Sequence, residues 1–394
     1  MIYLDHNATT PIAPEVVKAM IPYMEEKFGN PSSAYPLGVE AKEGLETARS
    51  QVASLLKCSP EEIVFTSGGT ESNNMVIKSV AYTYREKGRH IITTAIEHPA
   101  VINPCLFLMN QGYEVTFGQV DSAGRVDPED IRRAIRKDTI LISVMHANNE
   151  TGTVQPICEI GAIAREAGVL FHTDAAQSVG KIPTDVYELN VDFLSVAGHK
   201  VYAPKGIGAL YIRKNIDLEP FMHGAGQESG RRAGTENVIF AVGLGAACVL
   251  AQNMMDTNTG KIQEMRDLLH KLLLNEIPEL VLNGHPEKRL PNTLNVSFPG
   301  VSGRRLLQAV PGIYASTGAA CHDQSELISH VLTAMNVPRE VGEGAVRLTL
   351  GRENTRTQIE TAAEQLISAY FRILPLPRKR ASSDLGHGFP PSRE

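Results

Sequence analysis

Apolar residues recur at helical spacing near the start of the chain. Across residues 14–27, Val16, Val17, Met20, Ile21 and Met24 lie on one face, and a second helix is predicted over 38–56. The pattern then changes to short apolar runs. Residues 63–66, 91–94, 139–144, 168–174 and 192–200 each read as a strand, and helical segments such as 130–136 and 157–166 fall between them. Strands alternating with helices in this way predict an α/β fold with a mostly parallel sheet flanked by helices. From 238 to 275 the chain reads as helix, rich in Ala, Leu and Met, until a strand signal returns at 293–298. Looser alternation follows, ending in an amphipathic helix over 355–372. The predicted division is a large domain at 14–250 and a smaller α+β domain made of 1–13 and 251–372. Residues 375–394 combine Pro, Ser, Gly and charge with little apolar surface to bury, so a disordered tail is expected there.

Composition changes this picture little. A chain of 394 residues exceeds what one core usually supports, in keeping with two domains. The net charge of −6 is spread along the sequence and gives no footprint for nucleic acid or a membrane surface, so neither is expected as a partner. The five cysteines are scattered and odd in number, with no pair two residues apart, which implies neither a disulfide framework nor a metal site. Asp5 sits where a signal peptide needs its apolar core, and the expected location is the cytoplasm.

Candidate chemistry lies where the apolar runs stop. The run 192–200 ends at His199-Lys200, and the run 168–174 ends at Asp174. Ligands of α/β folds sit beyond the carboxyl ends of strands, so both side chains would project into one site. An amine and a carboxylate so placed are what a pyridoxal 5'-phosphate enzyme needs. A surface lysine and a strand-end aspartate are the plain alternative. Ser67-Gly68-Gly69-Thr70 follows the strand 63–66 and precedes a helix, an arrangement that binds phosphate, although it is also an ordinary turn. His98 and Asn149 follow two further strands. Thr70, His98, Asn149, Asp174 and Lys200 thus end five strands, and unrelated structural roles for all five would require five coincidences. Cys321 lies in a run of small residues beside His322 and reads as a loop thiol that an imidazole could activate; Cys248, followed by aliphatics, reads as a buried helix cysteine. Arg347 interrupts the apolar run 346–350, where a guanidinium is costly unless it grips a carboxylate, as an amino-acid substrate would offer.

These segments, with Tyr3-Leu4-Asp5-His6-Asn7-Ala8-Thr9-Thr10, Gly29-Asn30-Pro31-Ser32-Ser33, His172-Thr173-Asp174-Ala175-Ala176-Gln177 and Arg232-Ala233-Gly234-Thr235-Glu236-Asn237, resemble the cysteine desulfurases and selenocysteine lyases. Those enzymes belong to the class V aminotransferase group, with the pyridoxal phosphate type I fold. The resemblance runs over about residues 2–370. It implies Lys200, Cys321 and His98 as catalytic residues. Lys200 would hold the cofactor and move the substrate Cα proton, His98 would stack on the ring, and Cys321 would attack the substrate's sulfur or selenium. That leaves alanine and a persulfide or perselenide. Asp174 would pair with the ring nitrogen, Gln177 with the ring oxygen, and Gly69, Thr70 and His199 with the phosphate. Asn149 would orient ring and substrate, and Arg347 would bind the substrate carboxylate. Thr235 would reach the phosphate of a second subunit, implying a homodimer, and an acceptor protein would take the sulfur or selenium.

Two positions depart from the desulfurase pattern. Ala197 stands where a phosphate-binding serine is usual, and Gly318-Ala319-Ala320-Cys321-His322 replaces the commoner loop. Both look more like selenocysteine lyases, so that activity is slightly favoured. The alternatives are a cysteine desulfurase supplying sulfur for iron–sulfur clusters or tRNA thiolation, a related aminotransferase with an idle Cys321, and a non-catalytic scaffold.

Overall fold

The computed structural model describes residues 1–317 and 328–374, without the side chains of 256–258. Its centre is a seven-stranded sheet built from β2 (Ile63–Thr66), β3 (His90–Thr94), β4 (Glu114–Gly118), β5 (Thr139–Ser143), β6 (Leu170–Asp174), β7 (Phe193–Ala197) and β8 (Gly208–Ile212). The two-residue β1 (Ile2–Tyr3) lies elsewhere. The order is β2-β8-β7-β6-β5-β3-β4, with β8 antiparallel to both neighbours and every other pair parallel. Neighbouring residues on a strand enter opposite cores: Phe65, Ile92, Ile142 and Leu194 face one, and Val64, Ile91, Leu141 and Phe193 the other. Helices cover both faces, which is why these strands read as unbroken apolar runs.

On the first face pack α1 (Pro14–Glu25), α2 (Pro36–Leu56) and, further along the chain, Ile157–Ala167; on the second, α3 (Gly69–Thr83) and α4 (Pro99–Met109). Prolines at the first turns of α1, α2 and α4 fix where these helices begin. The helix predicted over 130–136 is shifted to Pro128–Ala134, because Asp127 accepts the Glu129 N–H and Pro128 opens the first turn. Strands β4 and β8 are additions to the predicted set. Glu114–Gly118 is a sheet edge that carries little apolar character.

A long helix, Val238–Glu276, runs from one core to the other. Its apolar stretch Val238–Met255 is long enough to cross a membrane by length and composition, but Ala241, Leu244, Ala247 and Cys248 are buried against α1 and α2. Met265, Leu269 and Leu273 belong to a separate core. The boundary drawn after residue 250 therefore falls inside one helix. That second core is closed by the antiparallel strands Val281–Leu282, Thr293–Ser297 and Ala345–Thr349 and by the C-terminal helix Arg356–Ile373.

The N-terminal segment ties the two cores together. Strand β1 pairs with Ile313–Tyr314, and Leu4 accepts the Thr349 N–H, which seats residues 2–4 on the smaller core. Six residues after Leu4 the chain has reached the larger one, where the Thr10 N–H donates to the His199 carbonyl. Residues 5–9 thus lie across the boundary, beside the end of β7.

Candidate active site

At the carboxyl ends of β3, β5, β6 and β7 lies an open cavity of about 750 Å³. Thr70, His98, Asn149, Asp174 and Lys200, the five strand-end groups, all line it, as do Gly69, Gln177, His199 and Arg347. Thr235 does not. It lies in a separate pocket with Ser67, Glu228 and Arg232, and Arg232 pairs with Glu71 at 2.8 Å.

Lys200 ends the single turn Gly198–Lys200 that follows β7. Gly198 is required there, since a Cβ would stand 2.8 Å from the Ile207 carbonyl oxygen. The ammonium donates to the carbonyls of Asn7 (2.5 Å) and Ala8 (2.6 Å). Burial and the nearby Arg347 lower it to about 8, against the pull of Asp5 and Asp174. A fraction of the amine is therefore free at neutral pH, as a nucleophile requires.

Asp174, at the end of β6, is 6% exposed. Its Oδ2 accepts from Asn73 Nδ2 (2.7 Å) and its Oδ1 from the Ala176 N–H (2.9 Å), so the carboxylate is held rigidly at the cavity wall. His98 caps α4: its Nδ1 accepts the Ala100 N–H at 3.1 Å, so in the neutral ring the proton is on Nε2. Burial lowers its pKa and keeps it neutral.

At the other end of the cavity α3 begins at Gly69. Its N-cap, Gly68, has no side chain to cap the first turn, and the first two residues of this fifteen-residue helix, Gly69 and Thr70, line the cavity. Ala197 closes this end: a Cβ on Gly69 would lie 3.4 Å from the Ala197 Cβ. His199 also faces it, with Nδ1 3.2 Å from Thr9 Oγ1; burial, then Lys200 and Lys205, lower its pKa to about 4. An uncapped helix N-terminus, a buried carboxylate and an amine around one cavity fit the phosphate, ring nitrogen and aldehyde of pyridoxal phosphate.

Beside His98 stands Glu97, whose side chain takes no direct part in the cavity. Its Oε1 accepts from Thr94 Oγ1 (2.6 Å) and the Met145 N–H (2.9 Å). Burial pushes its carboxyl from the ordinary 4.5 to about 8. The folded chain binds a proton that the unfolded chain has lost, so stability falls as pH rises from about 4.5 to about 8 and levels off above. Glu97→Gln is expected to remove that slope and to stabilise the cofactor-free protein above it by up to about 5 kcal/mol. Urea unfolding at about pH 5.5 and about pH 8.5 measures this, and an equal gain at both would contradict it.

Arg347 has a carboxylate partner inside the protein. It reaches Asp5 Oδ1 at 2.8 Å and the Asn149 carbonyl at 3.0 Å, a pairing that offsets the cost of burial expected of a lone guanidinium. Its Nε has no hydrogen-bond partner among the described residues, and its side chain still lines the cavity. Cys321 and the expected tail 375–394 lie outside the described residues. Several groups at the site were not singled out from sequence: Asp5, the carbonyls of Asn7 and Ala8, Asn73, and Glu150, whose buried carboxyl is pushed up to about 7. A polar triplet, Asp5-His6-Asn7, directly after the apolar Tyr3-Leu4 was the available signal for the first three. Among the described residues no cluster of three or more His, Cys, Asp or Glu has metal-binding geometry.

Residues 2–361 match the family described as Aminotransferase class-V. The chain is 52% identical over 383 residues to a protein named cysteine desulfurase IscS from Methanosarcina thermophila, covering 96% of this chain and 95% of that one. It is 49% identical over 367 residues to a cysteine desulfurase IscS from Dictyoglomus turgidum, covering 93% of each. Among solved structures, a NifS-like protein superposes with a TM-score of 0.89 at 38% identity, over 94% of this chain and 100% of that one. SspA in complex with cysteine gives 0.80 at 37%, over 90% and 100%. These names favour the desulfurase alternative and do not support the lean toward selenocysteine. Ala197, one of the two positions behind that lean, lies beside Gly69 at the N-terminal end of α3.

Proposed function

The chain belongs to the class V aminotransferase family and uses pyridoxal 5'-phosphate, and on that premise we propose that it is a cysteine desulfurase. It converts L-cysteine to L-alanine and passes the sulfur through Cys321 to an acceptor protein. What carries the reading is identity of about half the residues, over nearly the whole chain, to proteins named for that activity. The arrangement of Lys200 and Asp174 in one cavity supports it from the structural side.

Bound here, the cofactor supplies an electron sink that draws electrons from the substrate Cα. Lys200 would hold it through the ε-amine and would remove and return the substrate's Cα proton. Asp174, fixed by Asn73 and the Ala176 N–H, would keep the ring nitrogen protonated. Arg347, braced by Asp5, meets the substrate carboxylate with its remaining N–H groups. The Cys321 thiolate attacks the substrate sulfur: an S–S bond forms, the C–S bond breaks, and its electron pair stays with the carbon fragment, which is protonated and leaves as alanine. Thr235, outside this cavity, serves the phosphate of a second subunit in a homodimer.

Incubation with L-cysteine and a reductant tests the reading. Alanine and sulfide are expected in equal amounts, and without reductant the peptide carrying Cys321 gains the mass of one sulfur atom. Transfer of the amino group to a 2-oxo acid with Cys321 unmodified would overturn it, as would turnover of L-selenocysteine with none of L-cysteine.

A further inference from the structure

Lys181 is a second amine beside the cavity, and no role has been assigned to it above. It leaves the helical turns that follow β6, four residues after Gln177, so the two side chains share a face. Gly180 pins this turn: at φ +73° it sits where a Cβ would stand 2.9 Å from Ala251 Cβ. The amine donates to Gln177 Oε1 at 3.1 Å and to Asn7 Oδ1 at 3.3 Å. Among the described residues no carboxylate pairs with it. Burial lowers it to about 7, with Lys200 and Arg347 adding to the effect. A half-buried amine that faces two amides and no counter-charge among the described residues is a poor contributor to stability, which calls for another explanation.

The two amides supply one. The opposite end of Gln177, Nε2, donates to the Asn7 carbonyl at 3.0 Å, and that same carbonyl receives Lys200. Asn7 Nδ2 donates to the Asn149 carbonyl (3.2 Å) and Thr293 Oγ1 (2.9 Å). An amide side chain can turn over and exchange oxygen for NH₂ at no internal cost, so its neighbours decide which end faces the cavity. Charged or neutral, the Lys181 amine has at least two N–H groups, one for each oxygen. Turning Gln177 over would set its NH₂ against those N–H groups and its oxygen against the Asn7 carbonyl.

We propose that Lys181 is a positioning residue that locks the Gln177 amide with its NH₂ toward the cofactor ring oxygen and holds Asn7 under Lys200. This rests on the cofactor-binding reading above. An N–H at the ring oxygen withdraws charge from it, and loss of that donor strengthens the oxygen's hold on the proton it shares with the nitrogen bonded to Lys200.

The test uses the holoenzyme and Lys181→Met, which fills similar volume without N–H groups. The visible band of the bound cofactor is titrated with pH. The midpoint is expected to rise by about half a unit or more, and kcat/KM for L-cysteine to fall about tenfold. Lys181→Arg, which keeps the donors, is expected to restore most of both. In a Gln177→Leu background, Lys181→Met is expected to move the midpoint no further. An unmoved midpoint in Lys181→Met, or a full additional shift in the double variant, overturns the role. If Lys181→Met does not fold, Lys181→Gln, too short to reach both oxygens, carries the same expectation and the same refutation. A parent protein without a visible band would fail the cofactor reading itself, whereas a coloured parent and an unmoved variant sink only the role of Lys181.

Discussion

Lys200→Ala is expected to lower turnover of L-cysteine on the order of a thousandfold or more, because the side chain both holds the cofactor and moves the Cα proton. The structure separates this loss from misfolding. The amine it removes is buried enough to be lowered to about 8, so its charged form contributes little to stability. The Asn7 carbonyl keeps a partner in Gln177 Nε2 at 3.0 Å when Lys200 is gone. The variant should therefore unfold at a denaturant concentration close to that of the parent while being inactive. Lys200→Arg makes the point a second way: it keeps a cation but cannot supply a neutral amine, and it should be equally inactive. Borohydride reduction should fix the cofactor to the peptide carrying residue 200 in the parent and leave both variants unlabelled. A Lys200→Ala protein with a tenth or more of parental turnover would end the assignment.

Asp174→Asn should reduce kcat on the order of a hundred- to a thousandfold with little change in KM, since an amide cannot keep the ring nitrogen protonated. Here a stability loss should accompany the kinetic one. Both carboxylate oxygens accept hydrogen bonds, from Asn73 Nδ2 and from the Ala176 N–H. An asparagine offers one oxygen, so one buried donor loses its acceptor, at about 1–3 kcal/mol. Comparing kcat with the urea midpoint distinguishes the two effects. A variant that lost stability but kept full kcat would leave Asp174 a structural residue.

The five strand-end residues were readable because the relation between a parallel sheet and its ligand site is general: strands that stop at polar groups deliver them to one edge. Thr70, His98, Asn149, Asp174 and Lys200 accordingly share the cavity. The helix start at Pro14 was legible for a similarly local reason, because proline suits the first turn; the second helix begins at Pro36, two residues before the predicted 38, and the one at Pro99 was not predicted. Arg347 was legible as a buried cation but its partner was not. Asp5 lies 342 positions away, and no pattern in either segment points to the other. The lean toward selenocysteine rested partly on Ala197, which lies beside Gly69 at the start of α3, and the names of the relatives do not support it.

By itself, then, the order of residues determined what each segment contributes: alternating apolar runs made strands and helices, and the polar group closing each run supplied the chemistry. What only the tertiary structure decided is how those groups are held. Asn7 fastens Lys200, Gln177, Lys181 and Asn149 into one network, and Asp5 braces Arg347, through bonds spanning more than a hundred residues. Periodicity and capping act over a few residues, where the backbone alone sets the geometry. Contacts between an N-terminal segment and a strand-end turn exist only once two separate cores have formed and the chain is drawn across the gap between them.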